Sequence, residues 1–286
     1  MSHPLFDIGG RVALVTGSSR GIGRALAQGL LEAGCTVVLN GRDAEALERT
    51  RSELAALTTE NTENAENSGN SGNGGNGGNG GNGGSGGTAG TVLAESFDVT
   101  APAAVAEGIA RIEERVGPID ILVNNTGAQH RAPLTEFADA DWYRLLDTNL
   151  TSAFLVGREV ARRMTPRGHG KIINVCSLQS EVVRPGIAPY AATKGGLKML
   201  TKGMCANLGP SGIQVNAIGP GYFRTELTSA LVADEDFSSW VRGRTPAGRW
   251  GEVGDLVGAL VFLSSAASDF VNGQILYVDG GMTSVL

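Results

Sequence analysis

Near its start the chain passes from an apolar stretch, Val12 to Thr16, through the turn Gly-Ser-Ser-Arg-Gly-Ile-Gly and directly into a helical run, Arg24 to Ala33. A strand that must reverse at once into a helix leaves the backbone few choices. Gly17, Gly21 and Gly23 let it turn tightly and come close to a ligand, while the helix behind them offers unpaired N–H groups and its positive dipole end. The segment Gly17, Ser19, Arg20, Gly21, Ile22 and Gly23 is therefore a candidate phosphate cradle of the dinucleotide-binding kind. Its Gly-x-x-x-Gly-x-Gly spacing differs from the general Gly-x-Gly-x-x-Gly fingerprint, so its place between strand and helix carries the argument.

The same alternation continues along the chain. Apolar runs at Thr36–Leu39, Val92–Phe97, Ile119–Val123, Ile172–Val175, Gln214–Ile218 and Gln274–Val278 predict strands. Helical runs fall between them, at Ala44–Leu57 with Asp43 as N-cap, Ala103–Val116, Asp139–Met164, the stretch after Pro189, and Glu252–Ser264. Strands alternating with helices imply an α/β fold, a Rossmann-type doubly wound parallel sheet with right-handed crossovers. The 286 residues, 41% hydrophobic and 18% charged, suit one domain. Residues 58–90 stand apart, with asparagine at every third position from Asn61 to Asn82 and a plain Asn-Gly-Gly repeat from Asn73. Without proline this is not a collagen pattern, and with no apolar side chain larger than alanine it buries no core; it is expected to be a disordered insertion between a helix and the third strand.

A formal net charge of -6, with no long run of Lys or Arg, argues against a nucleic-acid or anionic-membrane partner. No apolar stretch reaches a membrane span, and the opening residues lack a basic end followed by an apolar run, so the expected location is cytoplasmic. Cys35, Cys176 and Cys205 have no metal-ligand spacing and read as small buried hydrophobes, and the three histidines are dispersed; no metal is expected.

The chemistry gathers between Lys171 and Lys194. Ser177 falls at the carboxyl end of one strand, where open α/β sheets bind ligands. Tyr190 and Lys194, one turn apart on the following helix, share a face. An ammonium beside a phenol favours the phenolate, so Tyr190 is expected to have a lowered pKa and to act as acid/base. Ser177 would hold the reacting oxygen and Lys194 would keep its proton. Taken alone, Asn149 reads as a hydrogen-bonded core asparagine. Asp98-Val99, Asn125 with Gly127, and Pro220-Gly221 with Thr225 also follow strands and face the same edge. The second strand ends in Asn40-Gly41-Arg42, without the acid that would hold an NAD ribose. Arg42, with Arg20, would instead clamp the 2′-phosphate of NADP, which is the expected preference, NAD remaining possible.

The strings TGSSRGIG at 16–23 and NNTG at 124–127, with Asn149, Ser177 and YAATK at 190–194, resemble the short-chain dehydrogenase/reductase family in order and spacing. The resemblance covers nearly the whole chain outside the Asn/Gly insertion. It implies a proton relay of Asn149, Ser177, Tyr190 and Lys194, with Lys194 also holding the nicotinamide ribose, and it suggests a homotetramer. Thr126 departs from the alanine usual in the family. Longer strings, among them VCSLQSE at 175–181, GYFRTE at 221–226 and RTPAGRWGE at 244–252, resemble the branch that acts on sugar acids. That implies NADP-linked hydride transfer on a small sugar-acid substrate, contacted by Ser177, Gln179 and Tyr190. An arginine at the place of Arg131 belongs to the same resemblance, and a guanidinium suits a carboxylate. Arg184 reads as a solvated loop charge. Another polyol or a 3-oxoacyl thioester is the alternative substrate, and a non-catalytic NADP(H) sensor the alternative of another class.

Overall fold

The structure is a computed structural model that describes residues 3–69 and 90–286. The strands are β1 (Val12–Thr16), β2 (Thr36–Gly41), β3 (Val92–Ser96), β4 (Ile121–Asn124), β5 (Gly170–Val175), β6 (Ile213–Pro220) and β7 (Ile275–Val278). The helices are α1 (Gly21–Glu32), α2 (Ala44–Gly69), α3 (Pro102–Arg115), α4 (Asp139–Leu146), α5 (Ser152–Met164), α6 (Ala188–Leu208), α7 (Ser229–Ala233), α8 (Glu235–Arg244) and α9 (Val257–Ser264). Among the described residues the strands form one parallel sheet in the order β3-β2-β1-β4-β5-β6-β7.

Side chains alternate across this sheet, so each strand feeds two cores. Val15, Val123 and Ile173 meet Leu26 and Leu30 of α1 and Leu260 of α9 on one face. On the other, Leu14, Leu122 and Ile172 meet Ile109 and Ile112 of α3 and Val156 and Val160 of α5. Covered on both faces, the central strands β1, β4 and β5 are buried at every position and mostly apolar, as a doubly wound sheet requires. Strand order reverses between β1 and β4, and the registers Val15↔Val123, Asn124↔Asn174 and Val175↔Ile218 bring their carboxyl ends to one edge. The crevice for a ligand opens there.

Two helices depart from expectation. Asp43 caps α2, its Oδ1 accepting from Ala46 N at 3.0 Å, but the helix continues to Gly69 rather than stopping at Leu57. Residues 58–69, expected to be disordered, are thus helical; neither glycine nor proline interrupts the sequence before Gly69, and extending a formed helix is far easier than nucleating one. The rest of the expected insertion, 70–89, lies outside the described residues. The run Asp139–Met164 is helical throughout, yet α4 and α5 are joined by a π-helical turn at Asp147–Thr151. Cys205 is only half-buried, whereas Cys35 and Cys176 are buried as expected. Among the described residues no helix is long and apolar enough to cross a membrane, and no three His, Cys, Asp or Glu side chains gather as a metal site.

Candidate active site

The glycine turn is held from behind. Asn125 Nδ2 donates to the carbonyls of Thr16 at 3.0 Å and Gly17 at 2.9 Å, and Thr16 Oγ1 accepts from Asn125 N at 3.0 Å and Thr126 N at 3.2 Å. Ser18 ties the turn to β2, accepting from Asn40 N at 3.0 Å and donating to Val15 O at 2.8 Å. The carbonyls of Thr16 and Gly17 are thus bonded inward, and Ser18 N donates to Asn40 O at 3.0 Å. Gly17 and Gly21 have φ of +62° and +57°, which favour glycine. At Gly23 a Cβ would come within 2.3 Å of Gly17 O and 2.4 Å of Asn125 Nδ2, so a side chain there would force the turn open. Arg20 occupies the N-cap of α1 without a side-chain cap bond, and the first turn of α1 contains no acid. That terminus is free to meet an anion.

The neighbouring strand ends complete the edge. Arg20 and Arg42 are exposed, and among the described residues neither makes an ion pair. Burial works against the Asp98 carboxylate. Bonds from Thr100 N at 2.8 Å and Thr100 Oγ1 at 2.7 Å, with Arg42 nearby, nevertheless hold it below its ordinary pKa. Val99 is buried in the core, so only its backbone faces the edge. Gly221 packs on Asp279, and Thr225 caps the short helix after it, its hydroxyl 3.0 Å from Thr228 Oγ1.

The candidate relay residues converge beside Gly127. A Cβ on Gly127 would stand 3.5 Å from Asn149 Oδ1 and 3.7 Å from Lys194 Nζ. Asn149 sits in the π-helical turn, where the widened ladder displaces it from regular helix positions. It is 1% exposed and fully bonded: Oδ1 accepts from Ala128 N at 2.7 Å, and Nδ2 donates to Ala128 O and Thr193 Oγ1, both at 3.0 Å. Thr193 in turn donates to Tyr190 O at 2.7 Å. Asn149 therefore locks the loop after β4 to the helix that carries Tyr190.

Ser177, at the end of β5, donates to Gln179 Oε1 and accepts from Gln179 N at 3.2 Å. The Tyr190 hydroxyl faces Ser177, but its acidity corrects the sequence expectation. Burial pushes the phenol up to about 12, Ser177 pulls it back, and Lys194 is not what tunes it. The reason is geometric. Lys194 Nζ donates to Val175 O at 2.7 Å and stands 5.9 Å from the Tyr190 ring centroid, so its charge is directed at the end of β5. Burial also lowers the pKa of Lys194 itself.

Across the cleft, Arg131 is exposed and its Nη2 donates to Gln129 Oε1 at 3.2 Å. Arg184 is not a solvated loop charge. Its guanidinium lies 5.4 Å over the Phe237 ring of α8, its Nε is buried without a partner, and it lies against the Tyr222 hydroxyl, as does Gln179. Tyr222 meets Phe237, Trp240 and Trp250 edge-on at 5.6–5.8 Å, and Trp250 anchors the group by donating to Ser238 Oγ at 3.1 Å. Burial raises the pKa of Tyr222, while Arg184 and then Arg131 lower it.

Comparison with known proteins decides what kind of site this is. Residues 11–65 match the family described as short chain dehydrogenase, and residues 86–283 match that described as Enoyl-(Acyl carrier protein) reductase. The chain is 54% identical to gluconate 5-dehydrogenase of Gluconobacter oxydans over 99% of both chains. It is 46% identical to 5-keto-D-gluconate 5-reductase of Escherichia coli over 98% of both. The chain belongs to the short-chain dehydrogenase/reductase family. A solved gluconate 5-dehydrogenase from Burkholderia cenocepacia, in complex with NADP and tartrate, superimposes with a TM-score of 0.83 at 50% identity, covering 99% of both chains.

Within this short-chain dehydrogenase/reductase, Asn149, Ser177, Tyr190, Lys194 and Gln179 come to one edge, with the glycine turn beside them. Sequence reasoning missed Thr193, which joins Asn149 to the Tyr190 backbone, and Tyr222 with α7 and α8. The aromatic density of Tyr222, Phe237, Trp240 and Trp250 in a chain only 5% aromatic was the available signal.

Proposed function

We propose that this enzyme interconverts D-gluconate and 5-keto-D-gluconate with NADP(H). The observation that carries the reading is the convergence of Ser177, Tyr190, Lys194 and Asn149 beside the glycine turn, in a chain 54% identical over its full length to a gluconate 5-dehydrogenase.

The residues present fit a nicotinamide dinucleotide phosphate: an uncapped helix terminus, glycines a side chain would disrupt, and two exposed arginines that make no ion pair among the described residues. The turn from Gly17 to Gly23 would hold the pyrophosphate, Arg20 and Arg42 the 2′-phosphate, and Asp98-Val99, Asn125, Gly127 and the Pro220–Thr225 segment the remainder. Once bound, the nicotinamide supplies or accepts the hydride. In reduction Ser177 turns from Gln179 to donate to the substrate oxygen, and Tyr190 passes its phenolic proton to that oxygen as the charge develops. In oxidation the proton returns to Tyr190. Lys194 remains protonated, and Asn149 keeps Ala128 and Thr193 in place. In this reading the enzyme works in the cytoplasm as a homotetramer.

The test is to follow NADPH absorbance with the purified protein and 5-keto-D-gluconate, with NADH and a 3-oxoacyl thioester in parallel. Turnover of the keto acid, with kcat/KM higher for NADPH than NADH, is expected. Equal values for the two cofactors would remove the roles of Arg20 and Arg42. Turnover confined to the thioester would replace the substrate.

A further inference from the structure

Arg20 and Arg42 stand where the chain enters two successive helices, and each has beside it a carbonyl that the helix cannot bond. Arg20 is the N-cap of α1, whose first bond runs from Arg24 N to Arg20 O, so the preceding carbonyl, Ser19 O, lies outside the ladder. Arg42 precedes Asp43, the cap of α2, whose first bond runs from Leu47 N to Asp43 O; Arg42 O is left outside as well. Side-chain hydroxyls reach both. Thr50 Oγ1, on α2, donates to Ser19 O at 2.8 Å, closer than Ala46 O one turn back at 3.0 Å. Ser96 Oγ, at the end of β3, donates to Gly41 O at 3.1 Å and Arg42 O at 3.2 Å.

The two hydroxyls act on one place. A Cβ on Gly41 would stand 3.7 Å from Ser19 Oγ and 3.5 Å from Leu47 Cδ1, so segments 19–20 and 41–42 lie side by side against the start of α2. Asn40 Nδ2 donates to Glu95 O at 3.1 Å and Phe97 O at 3.2 Å, which fixes the end of β2 to the residues on either side of Ser96. The neighbouring carboxylates are already engaged. Asp43 accepts from Ala46 N, Asp98 from Thr100, Glu95 from Arg111 and Arg115, and Glu53 from Arg24. Arg20 and Arg42 make no ion pair among the described residues. A guanidinium on a long stem meets an anion at low entropic cost only where the backbone beneath it is held.

We infer that Thr50 and Ser96 are positioning residues that make the chain prefer NADP to NAD: they fix the carbonyls beside Arg20 and Arg42 and so hold the two guanidiniums at one spacing for the 2′-phosphate. The inference rests on the reading of Arg20 and Arg42 above and deepens it.

The experiment reads binding: fluorescence titration of the full-length protein with NADPH and with NADH, and a thermal transition for each variant. Thr50→Val and Ser96→Ala should each raise Kd for NADPH about three- to tenfold and leave Kd for NADH within about twofold. Thr50→Ser and Ser96→Thr, which keep the hydroxyl, should stay within about twofold for both cofactors. In an Arg42→Ala background Ser96→Ala should cost NADPH no further affinity, and Thr50→Val none in an Arg20→Ala background, because each hydroxyl acts through its arginine. Equal loss for the two cofactors, or the same loss with and without the arginine, would overturn the inference and leave the hydroxyls as supports of the sheet edge. Arg20→Ala and Arg42→Ala alone test the reading beneath it. If these weaken NADPH selectively while Thr50→Val and Ser96→Ala do not, the arginine clamp stands and its positioning by hydroxyls fails. If they leave the ratio of the two Kd values unchanged, the clamp reading fails and the inference with it. Should Thr50→Val, at a site only 4% exposed, fail to fold, Ser96→Ala at its exposed site decides by the same criteria.

Discussion

The proposed cofactor side of the cleft is shaped by main chain, whereas the proposed substrate side is shaped by side chains from distant parts of the sequence. Around Gly17–Gly23 the decisive contacts are bonds from Asn125 to two carbonyls and from Ser18 to the strand beside it, leaving room for a backbone and for nothing larger. Opposite, Arg184, Tyr222 and Phe237 come from the loops after β5 and β6 and from α8, and meet through a ring face and a hydroxyl. Backbone geometry tolerates few residue types and so leaves a mark in the sequence. Side-chain clusters can be assembled in many ways, and this lets one fold take many substrates.

The sharpest way to break that contrast is at Tyr190, where both sides meet. Tyr190→Phe should reduce kcat by about 10²- to 10⁴-fold while the NADPH titration stays unchanged, because only the proton donor is removed. The pH profile sharpens the same point. With burial holding the phenol at about 12, Tyr190 is protonated at neutral pH. Reduction needs that proton and should stay level into the alkaline range; oxidation needs the phenolate and should climb about tenfold for each pH unit. An oxidation rate already level at neutral pH would mean that bound cofactor and substrate bring Lys194 to bear on Tyr190, as the sequence alone suggested.

The fold was legible because it rests on periodicity. Each strand run corresponds to a strand of the sheet, and Asp43 caps the helix it was expected to cap. The positions of Ser177, Tyr190 and Lys194 were legible too, since a strand end and one helical turn set them. Their energetics were not. The direction of Lys194 Nζ depends on the Val175 carbonyl, a partner 19 residues away whose orientation no spacing reveals. The π-helical turn at Asn149 was hidden for a related reason: it preserves helical periodicity on either side while shifting one residue. Arg184 resembled a surface charge because loops are usually solvated. Only with α8 folded back over the loop does Phe237 cover its guanidinium and its Nε become buried.

A second substitution tests the backbone-built side alone. Gly23→Ala would place a methyl 2.3 Å from Gly17 O, where the obstacle is main chain that Asn125 already pins. The turn must open, and NADPH affinity is expected to fall about tenfold or more, with a melting temperature lowered by a few degrees. Binding of D-gluconate to whatever fraction is cofactor-loaded should be little changed, since among the described residues no hydrogen bond or ion pair joins Arg131 or Arg184 to that turn. Unaltered NADPH affinity, measured by fluorescence titration, would show that the turn is more pliant than its hydrogen bonds imply.

The smallest effect is expected from a stretch that serves neither side. Apart from Ala65, residues 61–87 contain no apolar side chain to bury, and the Asn-Gly-Gly repeat offers no charged group to a phosphate or a carboxylate. The connection lies after β2, between α2 and β3, far in sequence from the relay residues, and Gly90, just before β3, is packed against Cys35 O and Leu31 O. Shortening a long connection changes closure entropy only logarithmically, so a chain lacking residues 61–87 should keep its kcat/KM within about twofold and its melting temperature within a few degrees. Both are read from steady-state kinetics and thermal unfolding of the shortened protein. A loss confined to NADPH affinity would extend the backbone-built side beyond Arg42 into this connection; a loss of stability alone would mean that α2 needs its last turns to hold β3.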